Sequence, residues 1–185
     1  MNDTLDPRAL RVALGHFATG VAVVTASAAS GPPIGMTVNS FSSVSLDPPL
    51  ILFSIDKRAF SLDAFRAARG FAVNVLSGHQ RELSARFAHA LSDKWVGVGF
   101  HVGHNGAPLL QGALAHFECV PWADYDGGDH LIFVCRILRF ALAGGSDPLV
   151  FFAGRYATLE RGGLPQEAQE NGAQAGGTID MRGRP

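Results

Sequence analysis

The stretch that decides the fold is LAHFECVPWADYDGGDHLIFVCRILRFAL, residues 114–142. It contains two long extended runs, Leu114–Tyr125 and Asp129–Leu142. They are joined by Asp126-Gly127-Gly128, a short glycine turn of the kind that connects antiparallel strands. The segment therefore predicts a long β-hairpin.

Several shorter extended runs lie on either side of this hairpin. They are Val21–Ala26, Ile34–Val38, Pro49–Ile55, Phe71–Leu76 and Leu149–Ala153. The runs do not alternate regularly with helices, which disfavours a doubly wound parallel sheet. A mainly β fold follows, with roughly six or seven strands in a closed or partly closed barrel, because closure removes exposed strand edges.

Three short helices are predicted in the connections. The first is capped by Asp6, carries apolar residues at helical spacing at Leu10, Leu14, Phe17 and Val21, and ends at Gly20. The second starts at Ser61, and the third follows the capping-box pair Ser77 and Gln80, with an apolar stripe at Leu83, Phe87 and Leu91. The glycine-rich region Lys94–Pro108 is expected to be irregular.

Composition limits the function classes. Of the 185 residues 47% are hydrophobic and 17% are charged, and the formal net charge is −1. This balance gives no electrostatic footprint for nucleic acid, and the apolar stretches are far shorter than the ~20 residues of a membrane helix. We expect a cytoplasmic protein with one domain over residues 1–160. Residues 161–185 are poor in large apolar side chains, which predicts a disordered tail.

The cysteines and histidines offer little chemistry. Cys119 and Cys135 flank the glycine turn, and two buried thiols are expected. A two-residue loop would place their sulfurs on opposite faces of the hairpin, and a three-residue loop would set them side by side. His101 and His104 have neither a predicted helix nor an acidic partner, so we expect no metal site.

The most unusual segment is Gly35–Ser45, GMTVNSFSSVS, which carries five hydroxyls and one amide. Such a segment can hydrogen-bond a polar ring edge or a phosphate. The alternative is a serine-rich turn whose side chains bond their own backbone. A second segment, Ile55–Ser61, puts two cations at the start of a helix, where an anion is favoured. Its alternative is a solvated basic loop.

These segments carry a resemblance to a known family. The chain resembles the short-chain flavin reductases, the reductase partners of two-component flavin-dependent monooxygenases, from about Asp6 to Leu159. The matching motifs are Phe17–Thr25, Gly35–Ser45 leading into Pro48-Pro49-Leu50, Phe71–Leu76, Gly127–His130 and Gly154-Arg155-Tyr156.

The resemblance implies an FMN-binding split barrel, a Greek-key barrel that forms a homodimer, with FMN or FAD and with NADH or NADPH as co-substrate. It implies that flavin lies along Thr37, Val38, Asn39, Ser40, Ser43, Val44 and Ser45. The flavin phosphate is expected near Lys57, Arg58 and Ser61. A looser match adds Arg86, Phe87 and Trp95.

The resemblance further implies that the nicotinamide stacks beside His130, Gly154, Arg155 and Tyr156. His130 is the candidate catalytic side chain, although hydride transfer itself requires no protein acid or base. A flavin-dependent monooxygenase would receive the reduced flavin. Two alternatives remain within the same barrel superfamily: a flavin-binding electron carrier without nicotinamide turnover, and an oxidase of a vitamin-type amine.

Overall fold

A computed structural model describes residues 5–27, 33–90 and 93–159. The helices are α1 Pro7–Leu14, α2 Leu62–Ala67 and α3 Arg81–Ala88, and a 3-10 turn, Gly78–Gln80, precedes α3. The strands are β1 Thr19–Gly20, β2 Ala22–Ala26, β3 Ile34–Val38, β4 Ser42–Leu46, β5 Pro49–Asp56, β6 Phe71–Val75, β7 Phe100–Val102, β8 Pro108–Leu110, β9 Ala115–Gly127, β10 His130–Leu142, β11 Val150–Phe152 and β12 Arg155–Ala157.

The predicted hairpin forms the middle of the main sheet. Seven strands pair in the order β3-β2-β6-β9-β10-β5-β4, and every pairing is antiparallel. Gly127 pairs with His130 across a two-residue turn, and Gly128 has φ +79°, a conformation that glycine adopts without strain. The prediction of a mainly β fold is confirmed.

The two edge strands of this sheet, β3 and β4, are consecutive in the chain and linked by residues 39–41. The Ser40 hydroxyl accepts a hydrogen bond from Ser54 N at 2.9 Å and lies 3.3 Å from Ser54 O, to which it donates. Ser54 belongs to β5, so this residue pair draws the end of β3 toward the opposite side of the sheet. The sheet thus curls into a partly closed barrel.

Aromatic rings fill the barrel interior. Phe53 stacks on Phe133 with ring centroids 5.2 Å apart and meets Phe71 edge-on at 5.7 Å. All three are buried with Cys119 and Cys135, whose thiols are free. Burial raises the pKa of both thiols, which disfavours the reactive thiolate.

The pairing of the two cysteines in the hairpin matches neither the two-residue nor the three-residue loop alternative. The reason is that the ladder contains two register shifts, at Val134/Cys135 and at Ile137/Arg139. Cys135 pairs with Pro121, and Cys119 pairs with Ile137. Pro121 has no N–H to donate to a ladder, which fits a bulge beside it. The two buried thiols that the sequence predicts are confirmed.

The first helix is shorter than predicted. Asp6 caps it as expected by accepting from Arg8 N at 2.9 Å, but the helix ends at Leu14 with Gly15 as its C-cap. Gly20 lies in β1, where it pairs with Val150. The predicted end at Gly20 is therefore wrong, because apolar spacing continued past the first glycine able to end the helix.

Five strands lie outside the predicted set, among them the short β1 and β12, which both pair with β11. β4 follows a serine-rich sequence, and β7 and β8 form a two-stranded sheet within the region predicted to be irregular. The capping box of Ser77 and Gln80 is present, whereas Ser61 precedes α2 without a side-chain capping bond.

Two predictions fall partly or wholly outside the described residues: the disordered tail at 161–185 and the contribution of Leu91 to the third helix. Among the helices that the structure describes, none combines the length and the apolar character that crossing a membrane requires.

Candidate functional site

The hydroxyl-rich segment divides into satisfied and unsatisfied groups. Thr37 Oγ1 donates to Ser84 O at 2.7 Å, and Ser40 bonds Ser54 as described above. Ser42 Oγ donates to Ser43 O at 3.2 Å, and Ser45 Oγ accepts from Asp47 N at 3.2 Å. The self-bonded turn describes Ser42 and Ser45, whereas Thr37 and Ser40 bond the backbone of α3 and β5.

Asn39 and Ser43 behave differently. Both are exposed, and neither side chain has a hydrogen-bond partner within the ranges that the structure describes. Val44 beside them is 49% exposed, whereas Val38 is buried in the core. β4 is also an edge strand, so one of its sides has backbone groups without a strand partner. This surface therefore offers amide, hydroxyl and backbone donors to a ligand.

Aromatic rings pack against β3 at Gly35. We call Gly35, Phe87, Lys94 and Trp95 the aromatic corner. Phe87 and Trp95 meet edge-on with ring centroids 4.9 Å apart. A Cβ placed on Gly35 would lie 2.6 Å from Phe87 Cε1 and 3.2 Å from Trp95 Cζ2, so only glycine lets both rings approach the strand this closely.

Trp95 leaves one buried donor unused. Its Nε1 is shielded from solvent and has no hydrogen-bond partner among the described residues. Arg86, which is exposed, donates from Nη1 to Val96 O at 2.8 Å and so attaches the loop after α3 to that helix. Three residues of the looser family match, Arg86, Phe87 and Trp95, thus lie in one packed unit.

Tyr156 is hydrogen-bonded to α3, the helix that carries Phe87. Its hydroxyl lies 2.8 Å from Ser84 Oγ, and Ser84 O accepts from Thr37. The Arg81 guanidinium lies over the Tyr156 ring at 5.3 Å. Gly154, with φ +76°, and Arg155 lie at the exposed β11–β12 turn. A hydrogen-bonded chain therefore links the predicted flavin segment to the predicted nicotinamide segment.

The remaining charged candidates gather at the end of the long hairpin. We call Lys57, Arg58 and His130, together with their acidic partners, the hairpin-tip cluster. Lys57 Nζ contacts Asp126 Oδ2 at 2.7 Å, Arg58 binds Asp56 through two nitrogens at 3.1 and 2.8 Å, and His130 Nδ1 lies 2.7 Å from Asp129 Oδ1.

The electrostatics of the tip follow from these pairs. The Arg58 hydrogen bonds hold the pKa of Asp56 well below its usual range. Hydrogen bonds from Lys57 and His130 likewise lower the pKa of Asp126 and of Asp129. Each predicted phosphate cation therefore already has a carboxylate partner. Ser61 lies four residues beyond Lys57, before α2.

The structure brings the predicted residues together in two groups. Thr37, Phe87, Trp95 and Tyr156 belong to one, and the hairpin-tip cluster is the other. No hydrogen bond, ion pair or ring contact joins the two groups in the described part of the chain. The predicted proximity of His130 and Tyr156 stays a prediction.

Sequence reasoning did not select Ser84 or Lys94. Ser84 is fully buried and bonds both Thr37, through its carbonyl, and Tyr156, through its hydroxyl. Lys94 Nζ donates to Gly35 O at 3.1 Å. Lys94 precedes the selected Trp95, but its contact spans 59 residues and has no periodic signal in the sequence.

No group of three or more His, Cys, Asp or Glu side chains that could hold a metal occurs within residues 5–27, 33–90 and 93–159. His101 instead meets His116 edge-on at 6.1 Å, and His116 Nδ1 lies 2.9 Å from Asn74 Oδ1. Burial lowers the pKa of His116.

Fold and site together define a split-barrel protein that has polar donors at the end of β3 and along β4 and that has the aromatic corner packed against β3. The family model described as "Flavin reductase like domain" matches residues 14–160. The chain belongs to this family.

Relatives and solved structures support this membership. The chain is 48% identical over 157 residues to "FMN reductase (NADH) SmoA" of Agrobacterium fabrum, covering 83% of this chain and 87% of that protein. It is 37% identical to the flavin-dependent monooxygenase reductase subunit HsaB of Rhodococcus jostii, covering 85% and 80%. The NADH:FAD oxidoreductase SgcE6 of Streptomyces globisporus, solved with NAD and FAD fragments, superposes with a TM-score of 0.80 at 37% identity, covering 86% and 98%.

A further relative is longer than this chain. A "Probable flavin reductase" of Rhizobium meliloti is 40% identical over 182 residues, which is 98% of this chain. The chain spans 58% of that relative's length.

Proposed function

We propose that this protein is an NAD(P)H:flavin oxidoreductase that transfers hydride from a nicotinamide cofactor to FMN or FAD. The observation that carries the proposal is the unpaired polar surface of Asn39, Ser43 and the β4 edge, together with the aromatic corner. A flavin needs hydrogen-bond donors along its polar ring edge and an apolar surface against its face. Asn39, Ser43 and the β4 edge fit the polar edge, and Trp95, which is partly exposed, is the ring of the aromatic corner that a flavin can reach, because Phe87 is buried.

The protein's part in the reaction is to position two planar rings. Bound flavin supplies the hydride-accepting chemistry. Asn39, Ser43 and the β4 backbone would hold the polar edge of the flavin, and donors at this place favour the negative charge that develops there. Holding both rings in a reactive arrangement supplies the remaining rate enhancement.

The phosphate end is proposed to lie at the hairpin-tip cluster. Lys57 and Arg58 would exchange Asp126 and Asp56 for phosphate oxygens, which are stronger anionic acceptors. His130 and Arg155 would contact the nicotinamide cofactor. The proposed nicotinamide residues are divided between the two groups, since His130 belongs to the hairpin-tip cluster and Arg155 lies at the β11–β12 turn next to Tyr156.

The partner is proposed to be a flavin-dependent monooxygenase that receives reduced flavin, and the Rhodococcus relative is named as the reductase subunit of such a monooxygenase. We further propose a homodimer in the cytoplasm. α1 has no buried residue, and Leu14 and Phe17 are 66% and 78% exposed, which leaves an apolar face for a second copy. The proposed domain covers residues 1–160, followed by a tail at 161–185.

The test is oxidation of NADH or NADPH by the purified protein with free FMN or FAD added. We expect turnover that depends on flavin, together with flavin binding at micromolar concentration or tighter, about −8 kcal/mol. Flavin binding without nicotinamide oxidation would favour the electron carrier. No fluorescence change with either flavin at tens of micromolar, roughly −6 kcal/mol, would reject the proposal.

A further inference from the structure

Lys94 is unusual among the basic residues near the candidate site. It is half-buried, its ammonium lies over the Phe87 ring at 5.8 Å, and Nζ donates to Gly35 O at 3.1 Å. Burial lowers its pKa. No carboxylate pairs with it among the described residues.

Its hydrogen-bonding capacity is mostly unused. An ammonium has three N–H donors, and Gly35 O accepts one of them. A partly buried cation without an anionic partner is costly, so such groups usually have a stabilising contact. Lys57 and Arg58, by comparison, each contact a carboxylate.

A structural role alone explains Lys94 poorly. The loop that carries it is already attached to α3 by the Arg86–Val96 hydrogen bond. Trp95 packs edge-on against both Phe87 and Phe100 at 4.9 and 5.2 Å, so the ring does not depend on the lysine for its place. Lys94 therefore adds charge where packing is already complete.

The position of this charge indicates which part of a ligand it meets. Gly35 lies two residues before Thr37 on β3 and belongs to the aromatic corner. The proposed phosphate cations belong to the hairpin-tip cluster instead. Because Lys57 and Arg58 are proposed for the phosphate, the acceptor-rich edge of the planar ring is the part of the ligand left for Lys94. In a flavin, that edge is the pyrimidine ring with its two carbonyl oxygens and its ring nitrogen.

We propose that Lys94 donates to the pyrimidine edge of the flavin ring and thereby favours the reduced form. This inference rests on the proposed function. Hydride transfer from the nicotinamide brings two electrons and one proton to the flavin, and the nicotinamide leaves oxidised. The reduced ring gains a negative charge at its pyrimidine edge, and an ammonium at that edge binds it more tightly than the neutral ring.

The experiment compares Lys94→Met, Lys94→Arg and the control Arg69→Met, an exposed cation outside the proposed site. We expect Lys94→Met to weaken riboflavin and FMN equally, by about tenfold. Reduced flavin should lose about tenfold more affinity than oxidised flavin, seen as a lower midpoint potential of the bound flavin. Lys94→Arg should restore most of both, and Arg69→Met should match the parent protein.

Four outcomes would overturn the inference. A loss for FMN without a loss for riboflavin would place the lysine at the phosphate. A lower melting temperature with an unchanged midpoint potential would make Lys94 a structural clamp. Unaltered binding in Lys94→Met, with normal NADH oxidation by the parent protein, would refute the lysine contact and leave the proposed function standing. Absence of flavin binding by the parent protein would refute both.

Discussion

The aromatic corner and the hairpin-tip cluster are built by different physics. The corner is held by aromatic rings that pack directly against the glycine of β3. The tip is held by ion pairs in which one partner is largely exposed, Asp126 at 76% and Arg58 at 84%, and the other is partly covered, Lys57 at 38% and Asp56 at 33%. Packed contacts fix a geometry, whereas exposed ion pairs are weak and easily exchanged.

This difference suits two tasks. A ring that must be stacked at a set distance requires a rigid surface, which the corner provides. A charged end that binds and leaves requires groups whose present partners can be replaced, which the tip provides. We expect substitutions at the corner to alter stability and flavin binding together, and those at the tip to alter ligand binding alone.

The largest effect is expected for Gly35→Ala. The new Cβ would lie 2.6 Å from Phe87 Cε1, and Phe87 is 1% exposed and backed by Trp95, so the ring has little room to move. Overpacking of this kind costs about 3 kcal/mol at the upper end of its usual range. Urea unfolding and a flavin titration should both show the loss.

The matched control is Gly20→Ala, also a strand glycine, whose Cβ would meet nothing within 4 Å. Its stability should stay near that of the parent protein. A Gly35→Ala protein as stable as Gly20→Ala would show that the corner is not tightly packed, and the contrast with the tip would disappear.

How far the sequence alone predicts this molecule depends on the range of each interaction. The hairpin was predictable because the turn residues and both strands are contiguous. β4 was not, since SSVSL is three-fifths serine with only Val44 and Leu46 apolar, and the strand is held by its pairing with β5. The Lys57–Asp126 pair was not predictable either, because it spans 69 residues, and the bulges beside Val134 and Ile137 set the pairing of the two cysteines in a way that the turn alone does not indicate.

Tyr156→Phe tests the hydrogen-bonded chain that joins the corner to the β11–β12 turn. The substitution leaves the fully buried Ser84 hydroxyl without its partner at 2.8 Å, and an unsatisfied buried hydroxyl costs about 1–2 kcal/mol. Thermal unfolding measures the cost. Tyr125→Phe, at a 57% exposed position, is the control and should unfold as the parent does. Equal melting temperatures for the two variants would contradict this role of Tyr156.

His130→Ala tests the hairpin-tip cluster. Its partner Asp129 is exposed, so we expect no measurable change in stability. The Michaelis constant for the nicotinamide should rise about two- to tenfold, from the loss of a hydrogen bond of roughly 0.5–1.5 kcal/mol, while the flavin dissociation constant stays the same. His79→Ala, at another exposed histidine, serves as the control. Loss of flavin affinity with unchanged nicotinamide kinetics would assign His130 to the flavin instead.

The smallest effect on the fold is expected for Lys57→Ala combined with Arg58→Ala. Both ion pairs are exposed, so the unfolding free energy should not change measurably. Their acidic partners, Asp56 and Asp126, have a pKa below the usual 3.8 in the folded state, so any stability they add is present above pH 3.8 and is lost as the pH falls through the lowered folded value. Between pH 5 and 8 the variant and the parent protein should therefore show the same pH dependence of unfolding.

Ligand binding is where this double variant should differ from the parent. The double variant should bind FMN several-fold more weakly than the parent protein does. Added salt should reduce this difference in FMN affinity because exposed charges are screened. Riboflavin has no phosphate, so its affinity should be unchanged, as measured by the same fluorescence titration. Equal losses for riboflavin and FMN would remove the phosphate from the tip. A clear loss of folding stability would mean that the tip is a structural element like the corner, because ion pairs this exposed stabilise a fold only when the surrounding packing depends on them.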